Sequence, residues 1–160
     1  MSKEHLATYL NDHLSGAVAA LELIDHLAKD APEMRTALLE LKTDIEADRQ
    51  DLVKLMDKLG IGQSMVRKAA AWLTGEVAET KIAMDDQATG FLRRLERLEV
   101  LTLGIAGKLN LWRALAAASK QHEKLCELDY DRLARRAQEQ RDRAETLRLD
   151  AARVALTEAA

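Results

Sequence analysis

Two stretches of this chain carry residues that could do chemistry. The first is Glu46-Ala47-Asp48-Arg49-Gln50-Asp51, and the second, Glu145 to Asp150, repeats its E-x-x-R-x-D spacing. Residues three or four apart on a helix share a face, so each copy brings acids and an arginine together. Acids on a buried face suit an acidic metal site, and the interposed arginines suit internal ion pairs instead. His13 is the third chemically versatile residue, because imidazole titrates near neutrality and ligates metals.

Other reaction types find no support. Ser15, Ser64 and Ser119 have no histidine and acid partners at readable spacing, and no nucleophile elbow surrounds them. The glycine pairs Gly60/Gly62 and Gly104/Gly107 lack the Lys-Ser/Thr of a phosphate loop and the Rossmann context. Cys126 is the only cysteine, which excludes an internal disulfide or a cysteine-based metal centre. A net charge of −3 gives no nucleic-acid footprint. The arginines between Arg132 and Arg153 alternate with Glu139, Asp142, Glu145 and Asp150, which reads as a salt-bridged solvated face.

The elements that must position these residues are helices. Hydrophobic residues make up 48% of the 160 residues, aromatics only 3%, and there is one proline. Ala, Leu, Glu and Arg dominate, and all are good helix formers. Helical apolar spacing predicts segments at about 4–29, 33–59, 65–84, 90–118 and 128–157 in a single domain spanning 1–160. Pro32 suits the first turn of the second helix, and Gly60 a C-terminal cap. The expected arrangement is two long hairpins joined by a crossover of about 30 residues containing the shorter helix, with short loops making each hairpin antiparallel; a plain five-helix array and a helical-hairpin dimer are the alternatives.

Rotating each stripe by about 100° per residue places the charges. His13 lies on the apolar face of the first helix between Leu10 and Ala17. Asp48 and Arg49 flank the stripe between Ile45 and Leu52, and a turn near residue 31 puts His13 at their level. In the second hairpin Glu99 falls level with Leu147 and Arg148, and Gln140 points inward. The expected polar core layer is thus His13, Asp48, Arg49, Glu99, Gln140 and Arg148. His13 is expected to hydrogen-bond Asp48, with pH sensitivity as a second reading. A buried charge is costly unless paired, and stranding one costs roughly 3–5 kcal/mol.

The two-hairpin arrangement and the repeated E-x-x-R-x-D resemble the ferritin-like superfamily. The segments "YLNDHLSGAVAALELIDHL" and "LEVLTLGIAGKLNLWRAL" also resemble small bacterial ferritin-like proteins. Dinuclear-metal members carry Glu-x-x-His on two bundle helices and a Glu on each of the others. By that resemblance Glu46 and Glu145 stand for the motif glutamates and Glu99 for a lone glutamate. His13 falls at about the level of the remaining one. Arg49 and Arg148 occupy the places of both histidines, and a guanidinium has no lone pair to give a metal. The resemblance therefore implies an all-α ferritin-like bundle whose metal centre is replaced by ion pairs, with no cofactor and a structural or protein-interaction role. The alternative is a divergent iron- or manganese-dependent oxidoreductase or metal-binding protein using His13, Asp48 and Glu99, with Glu46 or Glu145.

One helix is apolar nearly all round. Leu103, Gly104, Gly107, Leu111 and Leu115 are expected opposite its bundle-facing stripe, so that side needs a cover. Trp72 on the crossover helix is one candidate, and the second subunit of a homodimer is the other. Arg67, Lys68 and Trp72 also admit reversible association of 65–84 with a membrane surface. The most apolar run is broken by Lys108, Asn110 and Arg113, which argues against a transmembrane span. A charged, polar N-terminus lacks a signal peptide pattern, and the expected location is the cytoplasm.

Overall fold

A computed structural model of the chain describes residues 2–64 and 90–157. Among them are four long helices and no strand: α1, Lys3–Asp30; α2, Arg35–Lys58; α3, Phe91–Ser119; and α4, Tyr130–Thr157. The expected helix at 65–84, with Arg67, Lys68 and Trp72, lies outside the described residues.

The helix ends follow from local chemistry. Ser2 caps α1, its hydroxyl accepting from the backbone N–H of His5. Pro32 opens a short 3-10 turn, Pro32–Met34, that feeds α2. Helix α2 ends at Gly60, whose φ of +62° is open to glycine at little cost. There the N–H of Ile61 bonds to Met56 O and that of Gly60 to Asp57 O, the Schellman pattern, and Ile61 is buried beneath it. Asp129 caps α4 through the N–H of Arg132. The Tyr130 hydroxyl donates to Leu125 O at 2.6 Å, and burial pushes that phenol up to about 12.

Ion pairs at the ends fix the helix directions. Arg94 reaches Glu33 and the Asp30 carbonyl, and Arg97 reaches the Asp30 carboxylate, so α3 starts beside the α1–α2 turn. Lys58 pairs with Glu127 at the opposite end, where α4 starts. Helices α1 and α4 therefore run one way, and α2 and α3 the other. Helix α1 packs on α2 and α3, while α4 packs on α3 and, more sparsely, on α2. The close α3–α4 approach uses Ala137, Ala144 and Ala151, one every seven residues along α4. Long charged side chains span the wider α2–α4 gap: Arg136 to Asp48 and Asp51, and Arg143 to Asp44.

The apolar core is divided in two. One cluster includes Leu10, Leu14, Leu52, Leu55, Leu109, Trp112 and Leu133. The other includes Ile24, Leu38, Leu41, Ile45, Leu98, Leu101, Ile105 and Ala144. Between Ile45 and Leu52, Ile105 and Leu109, and Ala137 and Ala144, the chain places Asp48, Lys108 and Gln140.

The stripe on α3 differs from expectation. Leu101 is fully buried, and the hydroxyl of the next residue, Thr102, donates to the Glu99 carbonyl. Leu111 and Leu115, assigned above to an outer side, are buried with Trp112. Helix α3 is flanked by both α1 and α4, so its apolar arc must exceed the width that one neighbour requires. Only Leu103, at 66% exposed, remains as a large apolar residue turned outward there. Among the described residues no helix is long and apolar enough to cross a membrane.

Candidate functional site

Asp48 organises the middle of the bundle. It is 1% exposed and accepts from three side chains on two other helices. Lys108 Nζ of α3 lies 2.5 Å from Oδ2, Gln140 Nε2 of α4 lies 2.9 Å from the same oxygen, and Arg136 Nε of α4 lies 2.6 Å from Oδ1. Arg136 also reaches Asp51 Oδ2 at 2.9 Å, and Lys108 donates to Gln140 Oε1. Two acids thus face two cations, and the buried glutamine uses both ends of its amide. Burial pulls the Lys108 ammonium below its ordinary pKa, and the adjoining Asp48 carboxylate opposes that shift. Burial also acts to lower the Arg136 pKa, but Asp48 and Asp51 outweigh it and the net shift is upward.

Two of the six residues expected in the polar layer therefore meet there, Asp48 and Gln140. The other four stand apart. His13 does not touch Asp48; its ring meets Tyr9 edge-on, with centroids 4.7 Å apart. Burial lowers its pKa, against the pull of Asp12. Arg49 forms a two-bond fork with Glu46 on its own helix, and its side chain is 31% exposed. Arg148 forms the same fork with Glu145 and reaches the exposed Glu99 at 3.3 Å. The E-x-x-R repeat is thus a pair of partly exposed intrahelical bridges. An arginine three residues after a glutamate lies close enough to close on it locally, without crossing the bundle.

The missed members, Lys108 and Arg136, had readable signals. Lys108 lies about 60° from Ile105 around α3, between Leu101 and Leu115, inside the buried arc. Arg136 lies one turn before Gln140, on the side that carries Arg143 toward α2. Among the described residues no three His, Cys, Asp or Glu side chains converge on a point where a metal could sit. His13, Glu46, Asp48, Glu99 and Glu145 are accordingly spread over separate places rather than gathered at one.

Helix α1 adds no charge to this layer. At the same level it carries Gly16, Ala17 and Ala20, and the small residues leave room. A cleft of about 480 Å³ opens there between α1, α2 and α3. Its walls include Ala17, Ile45, Leu52, Ile105 and Leu111, and Asp48 and Lys108 also line it. His13, Arg49, Gly104, Gly107 and Trp112 are also part of the lining, with the carboxylate-bearing Asp12. Ideal Cβ atoms added at Gly104 or Gly107 would meet nothing within 4 Å. No family profile, curated protein or solved structure matches the chain.

Proposed function

We propose that this protein is a ferritin-like bundle whose role is binding rather than turnover, its central plane held by ion pairs in place of a metal. One observation carries the reading. The ammonium of Lys108 lies against the Asp48 carboxylate, with Arg136 on the other oxygen, so the central acid is already neutralised by the chain's own cations. A divalent ion would have to displace a lysine and an arginine from a carboxylate, and arginine stays charged at any accessible pH. The helix order and directions, two antiparallel hairpins with α2 and α3 parallel, support the ferritin-like part. The open cleft beside α3 supports binding as the role.

Metal analysis tests it. Protein purified without chelator is expected to hold far less than one iron or manganese per chain, and its melting temperature to stay put when either ion is added. One tightly held iron or manganese per chain would overturn the reading in favour of a metal-dependent oxidoreductase.

A further inference from the structure

The outer side of α1 carries a buried row. Asn11, Ser15 and Ala19 stand four residues apart, so they form one line along the helix. Ser15 lies about 180° around α1 from Ile24, which packs into the core with residues of α2 and α3. The row therefore faces away from both neighbours of α1. Yet Ser15 is only 7% exposed and Ala19 2%, and Ala19 belongs to neither apolar cluster. Glu4, Thr8, Glu22 and His26 lie within about 20° of Ser15 on the same side, and all four are exposed. The burial is thus a band bounded at both ends. From Asn11 to Ala19 it is about 12 Å long, the width of one helix laid across another.

Two fixed points identify what crosses there. At one, the Asn11 amide donates to Gly62 O at 3.1 Å and its carbonyl accepts from the Ser64 backbone N–H at 2.6 Å, so the chain after α2 is tied to the start of the row. At the other, Gly90 stands one turn before Arg94, which reaches Glu33 and the Asp30 carbonyl at the α1–α2 turn. Along α1 the two points differ by the rise from Asn11 to Asp30, about 29 Å. The stretch 65–89 must climb that length. A helix over 65–84, as the apolar spacing predicts, would be about 30 Å long, which suffices for an oblique climb with 85–89 left to reach α3. Its apolar stripe opens with Met65, Ala69 and Trp72. Short side chains on both sides, Ser15 and Ala19 against Ala69, allow close approach, and rows of residues four apart are the ridges used in the commonest oblique helix crossings.

We propose that the outer row of α1 is the docking surface of the chain's own segment 65–84, with the side bearing Met65, Ala69 and Trp72 laid across Ser15 and Ala19. A second copy is not required, because the row is buried within a single chain. The path keeps to the side of α1 away from α3, so Trp72 does not cover Leu103, and the cleft stays open. The inference is independent of what the bundle binds.

Tryptophan fluorescence of the full chain carrying Trp112→Phe tests it, since Trp72 is then the only indole. Its emission is expected at short wavelength, with acrylamide quenching severalfold weaker than for a free indole. Adding Ala19→Lys is expected to shift the emission to the red and raise the quenching severalfold, with circular dichroism unchanged. Adding Leu103→Lys is expected to leave both as they were. Cysteine pairs give a second measurement in a Cys126→Ser background. Ser15→Cys with Ala69→Cys is expected to form a disulfide within most chains on mild oxidation, and His26→Cys with Ala69→Cys in few. If Ala19→Lys unfolds the protein, the cysteine pairs decide alone. A solvent-exposed Trp72 overturns the proposal, as does a red shift from Leu103→Lys without one from Ala19→Lys. Equal cross-linking of the two pairs, or cross-links between chains in place of within them, overturns it as well.

Discussion

Removing the Asp48 carboxylate tests whether the middle of this bundle is held by charge. In Asp48→Ala three donors lose their acceptor, and they do not lose it equally. Arg136 keeps Asp51 at 2.9 Å and is 23% exposed, so water can replace what is lost. Gln140 is fully buried and loses one bond, at a cost of about 1–3 kcal/mol. Lys108 is 12% exposed and keeps only the Gln140 carbonyl oxygen. Stranding a buried charge costs about 3–5 kcal/mol, and this term decides the outcome. Urea denaturation followed by far-ultraviolet circular dichroism is therefore expected to show a loss of about 3–5 kcal/mol. Arg49→Ala, which breaks a half-exposed fork, is expected to lose less than about 1 kcal/mol. Asp48→Leu combined with Lys108→Met removes both charges and is expected to recover most of the loss, since an apolar replacement of a buried pair is often neutral or better. The pH dependence has a definite sign. The folded Lys108 pKa is already below its unfolded value, and without Asp48 it falls further. The unfolded state then holds the extra proton, so the variant's deficit shrinks as pH rises from 7 toward 10. A deficit below 1 kcal/mol, or no recovery in the double variant, would refute the reasoning.

Three further outcomes are expected. Gly107→Ala replaces glycine inside α3 at a position with open space over it, so denaturation is expected to report a gain of about 0.5–1 kcal/mol. Asn11→Ala removes both ties between α1 and the segment after α2, the bonds to Gly62 O at 3.1 Å and from Ser64 N at 2.6 Å. A loss of about 1–3 kcal/mol is expected in the same assay. Burial holds the folded His13 pKa below its unfolded value, so the unfolded state takes up the proton first on acidification. Stability is expected to fall as pH drops below about 6.5, the ordinary imidazole value. His13→Phe should remove that part of the slope while keeping a ring beside Tyr9.

The helices were legible because their signals are local. Apolar spacing, Pro32 and Gly60 set the expected bounds within about two residues of those observed for α1 to α4. The layer was half legible. Asp48 and Gln140 sit inside apolar arcs, and an acid or amide in such a place announces itself. In the sequence Lys108 reads as a break in an apolar run rather than as a partner, because its long stem allows its head to reach either water or the core. Helical rotation and loop position put Arg49 and Arg148 at the level of the layer, yet each has a glutamate three residues away on its own helix. Distance along the helix decides the partner: the local glutamate closes on the guanidinium before a group across the bundle can. The cleft was legible in part: Leu103, Gly104, Gly107 and Leu111 stand out in the sequence as a face in need of a cover and do line it, but its room also depends on Gly16 and Ala17 standing level with them on another helix.

The buried charges also bear on how α4 finds its place. The seam of Ala137, Ala144 and Ala151 repeats every seven residues, so packing alone would tolerate a slide of α4 by one heptad. The polar layer does not tolerate it. A slide in one direction puts Asp129 and Leu133 where Arg136 and Gln140 now stand, which sets an acid against Asp48 and takes the amide from Lys108. A slide in the other direction brings Arg143 and Leu147 to those positions. Arg143 would satisfy Asp48, but Leu147 leaves Lys108 without its second acceptor, and Asp44 loses the arginine that holds it now. Gln140 is thus the residue that separates the native register from its nearest competitor, and the arginines alone would not. The cost of burying three polar groups buys one arrangement of three helices, and that arrangement sets α3 so that its glycines face the small residues of α1 across the cleft.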